Sequence, residues 1–311
     1  MTLSTTRPRL IINADDCGMS RGITDAIVLS HRYGLLTSTS LMANMPASAY
    51  AVLRLAGVPR LGVGVHLNIC AGRPILHPRE VPSLVGADGN FHRPPVMLRR
   101  LWTWRVSGRE LEAEFRAQIR WAKQRGVAVT HADSHHHMHI YPAAAVPFAR
   151  ALAAEEIRCA RAPRMSVWPK SGEIGGPHEG SAVRRTLVQS YRSVLQAGIF
   201  RALDMPQSRI SFLSRDRHNL DALGERWKAA FAALPAGTFE LACHPGFFER
   251  GFSETDAIHL QREEELHWLT GREWIEALEC SGIERITYRE LSGRRAAEPV
   301  SSNAPEVPAL P

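Results

Sequence analysis

The chain alternates short apolar runs with amphipathic segments from its first residues. Residues 10–12 (Leu-Ile-Ile) form a continuous apolar run that suits a strand buried on both faces. Ser20 predicts the N-cap of a helix that ends at Gly34. Residues 36–42 and 61–69 then predict two more strands. The opening of the chain therefore reads as strand and helix in alternation.

The same alternation continues beyond a Pro- and Gly-rich stretch that shows no clear periodicity. An apolar stripe at every fourth position from Leu111 to Ala122 predicts a helix that ends before Gly126. Further strands are predicted over 127–133, 157–162, 239–243 and 286–288, and further helices over 220–234 and 266–280. Strands that alternate with helices at this spacing indicate an α/β fold with a largely parallel sheet.

Two segments depart from this pattern. Residues 163–209 are the least regular interior part and are interpreted as an insertion or lid, and residues 294–311, rich in Ala, Pro, Ser and Glu, predict a disordered tail. We therefore expect one domain over residues 1–293. A chain of 311 residues is long enough for one large α/β barrel or for two ordinary domains.

Charge, cysteine spacing and the length of apolar runs predict the partners and the compartment of the protein. The formal charge of +7 is spread along the chain, and no basic helix or aromatic RNA-binding pattern accompanies it, so we expect no nucleic-acid partner. The five cysteines are far apart and form no CxxC pair, which predicts a reducing compartment. No run approaches the length of a membrane span and residues 1–9 lack an apolar leader core, so we expect a cytoplasmic protein.

Histidine is concentrated at one place. Five of the nine residues from His131 to His139 are histidine, and the run follows a predicted strand. Such runs occur mainly where imidazole binds a metal or moves protons. An extended backbone would align His135, His137 and His139, whereas a helical turn would pair His135 with His139. The alternative is a solvated polar loop.

Other reactive side chains also stand where predicted strands end, and active sites of parallel α/β proteins gather there. They are Asp15, Asp16, His66, Asp133, Arg161 and His244. Each has an ordinary alternative. The Asp15-Asp16 pair could cap the first helix, and His66 could be a satisfied core residue. Arg161 could belong to a buried ion pair, and His244, before Pro245, could be a turn residue. Carboxylates and imidazoles from separate strand ends nevertheless suit a mixed oxygen and nitrogen metal site.

Four motifs, taken in order, resemble the YdjC-like carbohydrate deacetylase family. They are Asn-Ala-Asp-Asp-Cys-Gly at 13–18, Gly-Val-His-Leu at 64–67, Thr-His-Ala-Asp-Ser-His-His-His-Met-His at 130–139 and Cys-His-Pro at 243–245. The resemblance implies a single distorted (β/α) barrel with its metal site at the carboxyl ends of the strands. It also places Cys17 where the family usually has an aromatic residue, which could reshape the floor of the pocket.

The resemblance further assigns roles. It implies metal ligands at Asp16, His66 and His135, a base at Asp15 and an acid at His244. Arg161 would hold the Asp15 carboxylate. The expected activity is metal-dependent hydrolysis of an N-acetyl group on an amino sugar, with one divalent ion, Mg²⁺ or Zn²⁺, and family habit suggests a homodimer. A chitooligosaccharide-like substrate is expected.

Alternatives to this function remain at this stage. One is a lipid-linked, hopanoid-type amino-sugar substrate, and another is a catalytically silent metal-containing sugar-binding protein. Trp102, Trp104 or Trp168 could stack on sugar rings or belong to the core. Phosphoester hydrolysis is a further rival, but it usually needs two metals and more bridging carboxylates.

Overall fold

A computed structural model describes residues 7–165, 182–211, 228, 231–232, 234–253 and 256–291. The tail predicted over 294–311, Trp168 and most of the helix predicted over 220–234 lie outside these residues. Among the helices within the described ranges, none combines the length and apolar character needed to cross a membrane.

Within the described residues, seven strands form one sheet in which every pairing is parallel. They are β1 (Pro8–Cys17), β2 (Ser38–Leu41), β3 (Gly62–Leu67), β4 (Val129–Ser134), β5 (Ser208–Ser211), β6 (Gly237–Cys243) and β7 (Glu284–Arg285). The order across the sheet is β4-β3-β2-β1-β6-β5, with β7 paired to β1. β1 is buried from Leu10 to Cys17, because it lies at the centre of the sheet with neighbours on both sides. The predicted parallel sheet is confirmed.

Helices connect the strands. They are α1 (Arg21–Tyr33), α2 (Ser48–Ala56), α3 (Pro94–Trp102), α4 (Gly108–Lys123), α5 (Pro142–Ala154), α6 (Ala182–Ala197), α7 (His259–Thr270), α8 (Arg272–Cys280) and α9 (Tyr288–Leu291). The histidine run forms a 3₁₀ segment, His135–Ile140. Ser20 caps α1 as predicted, since its side chain accepts a hydrogen bond from the Ile23 amide at 3.2 Å.

The sheet is strongly curled, which the contacts of one arginine make plain. The Arg161 guanidinium lies 2.5 Å from Asp15 on β1, 2.8 Å from Asp133 on β4 and 2.8 Å from Glu240 on β6. In a flat sheet, β4 and β6 would be about 19 Å apart, because four steps of about 4.8 Å separate them. Only a sheet rolled into a half-barrel brings these side chains to one guanidinium. The predicted distorted (β/α) barrel is confirmed.

Four sequence-based boundaries differ from the structure. α3 lies within the stretch that lacks periodicity, and the predicted helix 266–280 is two helices, α7 and α8, divided at Gly271. Residues 157–162 pair only through single bridges, Cys159 with Asp204 and Ala160 with Ala132. The segment 163–209 contains α6 and leads into β5.

The strand predicted over 286–288 is wrong, and the reason is a capping box. The Thr287 amide donates to the Glu290 side chain at 2.9 Å, and the Arg289 amide donates to the Thr287 hydroxyl at 3.1 Å. This reciprocal arrangement starts a helix. Tyr288 therefore opens α9, and the strand ends earlier, at Arg285.

Candidate metal centre and its neighbours

The end of β1 delivers two adjacent carboxylates to the same cavity. Neighbouring residues of a regular strand point to opposite faces. Here the register with β2 shifts between Ala14 and Cys17, and Asp16 takes a left-handed backbone conformation with φ of 64°. Such a φ is uncommon for a residue other than glycine and occurs often at functional sites. Asp15 and Asp16 are both buried, each with 2% exposure.

Asp16 faces two imidazoles. Its Oδ1 atom lies 3.0 Å from His135 Nδ1 and 3.4 Å from His66 Nε2, and its Oδ2 accepts a hydrogen bond from Arg262 at 2.8 Å. Oδ1 is buried and receives no hydrogen bond. A buried carboxylate oxygen without a donor is costly. One carboxylate oxygen and two ring nitrogens at this spacing form a donor set suited to a divalent cation.

The orientation of His66 supports the same interpretation. Its Nδ1 lies 2.8 Å from Asp133 Oδ1, so its Nε2 is directed at Asp16. A carboxylate on the far nitrogen of a metal-binding histidine fixes the ring and raises its basicity. Burial alone would lower the pKa of His66, but Asp133 and Asp15 raise it to about 9. A cation that binds Nε2 must therefore displace a proton at neutral pH.

Neighbouring charges also set the pKa of Asp16. Burial alone would raise its pKa, but His135 and Arg262 hold the pKa well below its ordinary value. Asp16 is thus ionised at neutral pH, as a metal ligand must be.

Two other groups of potential ligands lie near this one. Within each group the ligand atoms are within 4.8 Å of one another, and the groups are Cys70-His135-His136 and Asp15-His66-Asp133. In the second group both carboxylates already contact Arg161. In the first, burial raises the pKa of the Cys70 thiol to about 12, so it is neutral. The group with Asp16, His66 and His135 fits a cation best.

Asp15 is held beside this group by Arg161, as the sequence led us to expect. Arg161 donates to Asp15 through two nitrogens, at 2.7 and 2.5 Å, and is only 1% exposed. Burial would raise the pKa of Asp15, but Arg161 keeps it below its ordinary value. Asp133 and Glu240 share the same guanidinium. The two-point contact fixes the direction of the Asp15 carboxylate.

His244 lies on the other side of Asp15. Its Nε2 is 3.8 Å from Asp15 Oδ2, and its Nδ1 is 3.8 Å from Glu265 Oε2. The His244 backbone amide donates to the same Glu265 carboxylate. Carboxylates therefore flank the ring on both sides, and a residue of α7 fixes the strand end that carries it.

Only part of the histidine run converges, since the rings of His135 and His136 lie 4.4 Å apart between centroids. Left-handed backbone at His136 and His137 turns the chain within the 3₁₀ segment. His135 points to Asp16, and His137 contacts Arg209. His139 turns away from Asp16 and packs against Phe148. Neither alignment considered from the sequence occurs, and the solvated loop is excluded because His139 is 1% exposed.

His139 and His131 belong to the scaffold. The His139 ring stacks on Phe148 at 4.7 Å and shares a 2.6 Å hydrogen bond with Ser134. The His131 ring stacks on Tyr288 at 3.8 Å. Burial lowers the pKa of both histidines to about 3, so both are neutral.

The His131 ring also explains one glycine of the second motif. A Cβ on Gly64 would lie 2.5 Å from that ring. Gly64 is therefore required by the close approach of β4 to β3.

Several residues that complete the site were given no role from the sequence. They are Asp133, Glu240, Arg262 and Glu265, and each forms an ion pair or hydrogen bond with a predicted site residue. Asp133 had a signal, because it stands at the end of β4 beside the histidines. Arg262 and Glu265 lie on a helix far along the chain, and only the tertiary fold brings them to Asp16 and His244.

Cys17 packs in the hydrophobic core at the end of β1. It is fully buried within the main hydrophobic core. Burial raises the pKa of its thiol to about 12, which leaves it neutral. An influence of Cys17 on the shape of the pocket stays a prediction.

Comparison with known proteins gives consistent matches. The family described as YdjC-like protein matches residues 9–280. A carbohydrate deacetylase of Geobacillus stearothermophilus is 31% identical over 283 residues, which are 90% of this chain and 97% of that protein. A carbohydrate deacetylase of Halalkalibacterium halodurans is 42% identical over 133 residues, but that match spans only 55% of its length.

A solved structure matches the fold. It is a crystal structure from Enterococcus faecalis V583, provisionally described as a cellobiose-phosphate cleavage protein. The TM-score is 0.72 at 24% identity, over 92% of this chain and 99% of that one. At this identity the match supports the architecture and not the chemistry.

Proposed function

The chain belongs to the YdjC-like protein family, and from that premise we propose that it is a metal-dependent carbohydrate deacetylase. The reaction is hydrolysis of the N-acetyl group of an amino sugar, which releases acetate and a free amine. The observation that carries the proposal is the buried, unpartnered Asp16 Oδ1 atom that faces the ring nitrogens of His66 and His135. Several curated relatives are named carbohydrate deacetylase, which supports the same reaction.

Asp16, His66 and His135 would hold one divalent cation, Mg²⁺ or Zn²⁺. When bound, such an ion lowers the pKa of a water molecule from about 16 towards 7 and stabilises an oxyanion. Asp133 contributes by holding the His66 ring through Nδ1, and Arg262 holds the second oxygen of Asp16. These contacts fix the ligands before any cation arrives.

Asp15 is proposed as the base. Its carboxylate is ionised at neutral pH, and Arg161 prevents it from rotating away. A carboxylate in that state can accept a proton from the attacking water. The Arg161 contact weakens its basicity, so proximity must supply much of its effect.

His244 is proposed as the acid that protonates the departing nitrogen. An amide nitrogen leaves only when protonated, because the free amide anion is far too basic. The His244 ring lies between Asp15 and Glu265, so a proton on Nε2 is within reach of the Asp15 side of the cavity. A silent sugar-binding protein would need neither Asp15 nor His244 in this arrangement.

Other properties expected from the sequence stay predictions. They are the domain limits 1–293, a cytoplasmic location, a homodimer, the absence of a nucleic-acid partner and a chitooligosaccharide-like substrate. The choice between a soluble and a lipid-linked amino sugar is part of the same prediction.

The experiment is acetate release from N,N′-diacetylchitobiose by protein reconstituted with Zn²⁺ or Mg²⁺, with a chelated sample alongside. Asp15→Asn should bind the metal with unchanged stoichiometry and lose about 100- to 10,000-fold in turnover, the usual contribution of general acid–base catalysis. Asp88→Asn is the control, because Asp88 is exposed and its carboxylate accepts hydrogen bonds from Asn90 and not from a residue of the metal centre.

The outcomes separate the possibilities. Metal-dependent acetate release that is lost in Asp15→Asn and kept in Asp88→Asn supports the proposal. Wild-type turnover by Asp15→Asn would remove Asp15 from the role of base. Metal binding without acetate from the soluble sugar would favour a lipid-linked substrate, and failure there too would favour the silent binder.

A further inference from the structure

We propose that residues 93–109 form a surface that docks the protein onto the anionic face of a phospholipid bilayer. This Arg–Trp surface consists of Arg93, Arg99, Trp102, Trp104, Arg105 and Arg109, all of them exposed. It comprises α3 and the turn that leads into α4. The proposal does not depend on the deacetylase reaction.

One face of α3 anchors the helix and the other is open to solvent. Met97 and Leu101, one turn apart, are both fully buried in the core. Val96, Arg99 and Trp102 follow one another at intervals of three residues and therefore share the opposite face. Val96 is 38% and Trp102 is 60% exposed. The helix is thus held firmly while its outer face combines apolar and basic side chains.

Two tryptophans dominate this outer face. Trp102 is 60% exposed and Trp104 is 69% exposed. Trp104 also has a left-handed backbone, with φ of 55°, a conformation that is uncommon for a bulky residue. Large neighbouring apolar side chains in water usually mark an interaction site. Tryptophan in particular favours the boundary between lipid and water, because its ring is apolar and its N–H is polar.

The charge of the surface has a single sign. Residues 93–109 include five arginines and no aspartate or glutamate. Arg100 is used internally, since it donates to the Ser83 carbonyl at 3.1 Å and to the Arg105 carbonyl at 2.9 Å. Arg93, Arg99, Arg105 and Arg109 have no ion pair within the described part of the chain. Four unpaired arginines beside two tryptophans match the charge of an anionic bilayer.

The acidic residues nearest in sequence do not neutralise the surface. Glu110 accepts a hydrogen bond from the Ser83 amide at 2.7 Å, and Glu112 lies 4.0 Å from Arg116 on the same helix. Both carboxylates thus have partners of their own. The positive charge of the surface is left for an external ligand.

The surface is connected to the elements that carry the candidate metal ligands. It lies in the connection that leaves the carboxyl end of β3, where His66 stands, before α4 begins. Trp102 meets Tyr141 edge-on at 5.8 Å between ring centroids, and Tyr141 directly follows the 3₁₀ segment that starts at His135.

The aromatic residues favour a bilayer over a soluble polyanion. A nucleic acid or an acidic polysaccharide would require the arginines, whereas insertion into the headgroup region also requires Trp102, Trp104 and Val96. The two ligands therefore differ in their dependence on the tryptophans, and the test uses that difference.

The test is co-sedimentation of the full-length, metal-loaded protein with vesicles of phosphatidylcholine alone or with about one third phosphatidylglycerol. The wild type should bind the anionic vesicles only. Arg99→Gln with Arg105→Gln should weaken binding about 25-fold, since one basic residue near an anionic surface contributes about fivefold. Trp102→Ala with Trp104→Ala should weaken it about tenfold or more, through lost apolar burial.

Controls keep the result specific. Leu53→Ala and Arg201→Gln remove exposed side chains elsewhere, and both should bind vesicles like the wild type. Thermal unfolding of each variant checks that the fold is intact. Brominated lipids should quench the fluorescence of the wild type more than that of the tryptophan double variant.

Three results would overturn the proposal. The first is no difference between anionic and neutral vesicles. The second is unchanged vesicle binding when both tryptophans are replaced. The third is binding to immobilised heparin that the tryptophan double variant retains fully while no protein sediments with vesicles, which would assign the surface to a soluble polyanion. None of these results bears on acetate release, so the two proposals fail separately.

Discussion

Four buried or half-buried histidines of similar sequence context behave as two opposite pairs. His66 and His135 face the Asp16 carboxylate, and neighbouring carboxylates raise the pKa of His66 to about 9. His131 and His139 pack against aromatic rings, and burial lowers their pKa to about 3. The surroundings of His66 favour the charged ring, whereas those of His131 and His139 favour the neutral ring.

The role of each histidine is determined by the side chains around it and not by its place in a run of histidines. His135 and His139 are only four residues apart, yet one faces the cavity and the other fills the core behind it. The left-handed turn at His136 and His137 separates them.

The largest effect should come from Arg161→Met, which removes the cation that binds the buried carboxylates of Asp15, Asp133 and Glu240. Three buried carboxylates would lose the cation that offsets them, and removing one partner of a buried ion pair costs about 3–5 kcal/mol. We expect a loss of this order in the free energy of unfolding at pH 7, measured by urea denaturation. The loss should shrink in acid as the carboxylates take up protons. A loss below about 1 kcal/mol, the range of a surface pair, would show that the cluster is not coupled as described.

Two single substitutions should distinguish the histidine that faces Asp16 from the histidine that packs in the core. His135→Ala should weaken metal binding at least about 100-fold, because a ligand is lost from a half-buried position. His139→Ala should keep metal binding and reduce the free energy of unfolding by about 2–4 kcal/mol, through a cavity and a lost hydrogen bond. Calorimetric metal titration and urea unfolding measure the two effects. The reverse pattern would contradict the division.

Acid should destabilise the protein through His131 and His139. Both are neutral in the folded state down to about pH 3, whereas the unfolded chain binds protons below about pH 6.5. The unfolded state therefore gains protons as the pH falls from 6.5 towards 3, and stability falls with it. Each histidine should contribute a loss of about 2 kcal/mol between pH 7 and pH 5.

His139→Gln isolates this contribution. The variant should be less stable than the wild type at pH 7, but its further loss on going to pH 5 should be smaller by about 2 kcal/mol. The urea midpoint at each pH measures the difference. Equal losses in the two proteins would show that His139 is protonated in the folded state.

The smallest effect is expected for Gly64→Ala. The new Cβ would stand 2.5 Å from the His131 ring and force that ring or β3 to shift, which costs about 1–3 kcal/mol. Gly126→Ala is the matched control for added bulk, since nothing lies within 4 Å of a Cβ there, although its positive φ adds strain. Thermal unfolding compares them. An unchanged Tm for Gly64→Ala would mean that the His131 ring is not packed against β3.

The fold was predictable where periodicity and caps carry the information. β1, α1 and α4 follow from apolar spacing and from Ser20, because these signals are local. The division at Gly271 and the start of α9 at Tyr288 were missed, although Thr287 and Glu290 form a capping box that can be read in the sequence. α3 lacks a side-chain cap, and the signal at its start, proline at the first two helical positions, was missed.

The candidate site was predictable only in its outline. Strand ends identify Asp15, Asp16, His66 and His135 as neighbours, since parallel strands end at one edge of the sheet. The contacts of Arg262 with Asp16 and of Glu265 with His244 depend on how α7 packs, over sequence separations that no local pattern reveals. The separation of His135 from His139 depends on two left-handed residues, and histidine does not signal that conformation.

The most direct test of the account is the position of a bound ion. Crystals of the protein soaked with Zn²⁺ would be measured on both sides of the zinc absorption edge. We expect one strong anomalous peak within about 2.0–2.2 Å of Asp16 Oδ1, His66 Nε2 and His135 Nδ1. A peak held by Cys70 and His136 instead, or no peak in crystals of folded protein, would contradict it.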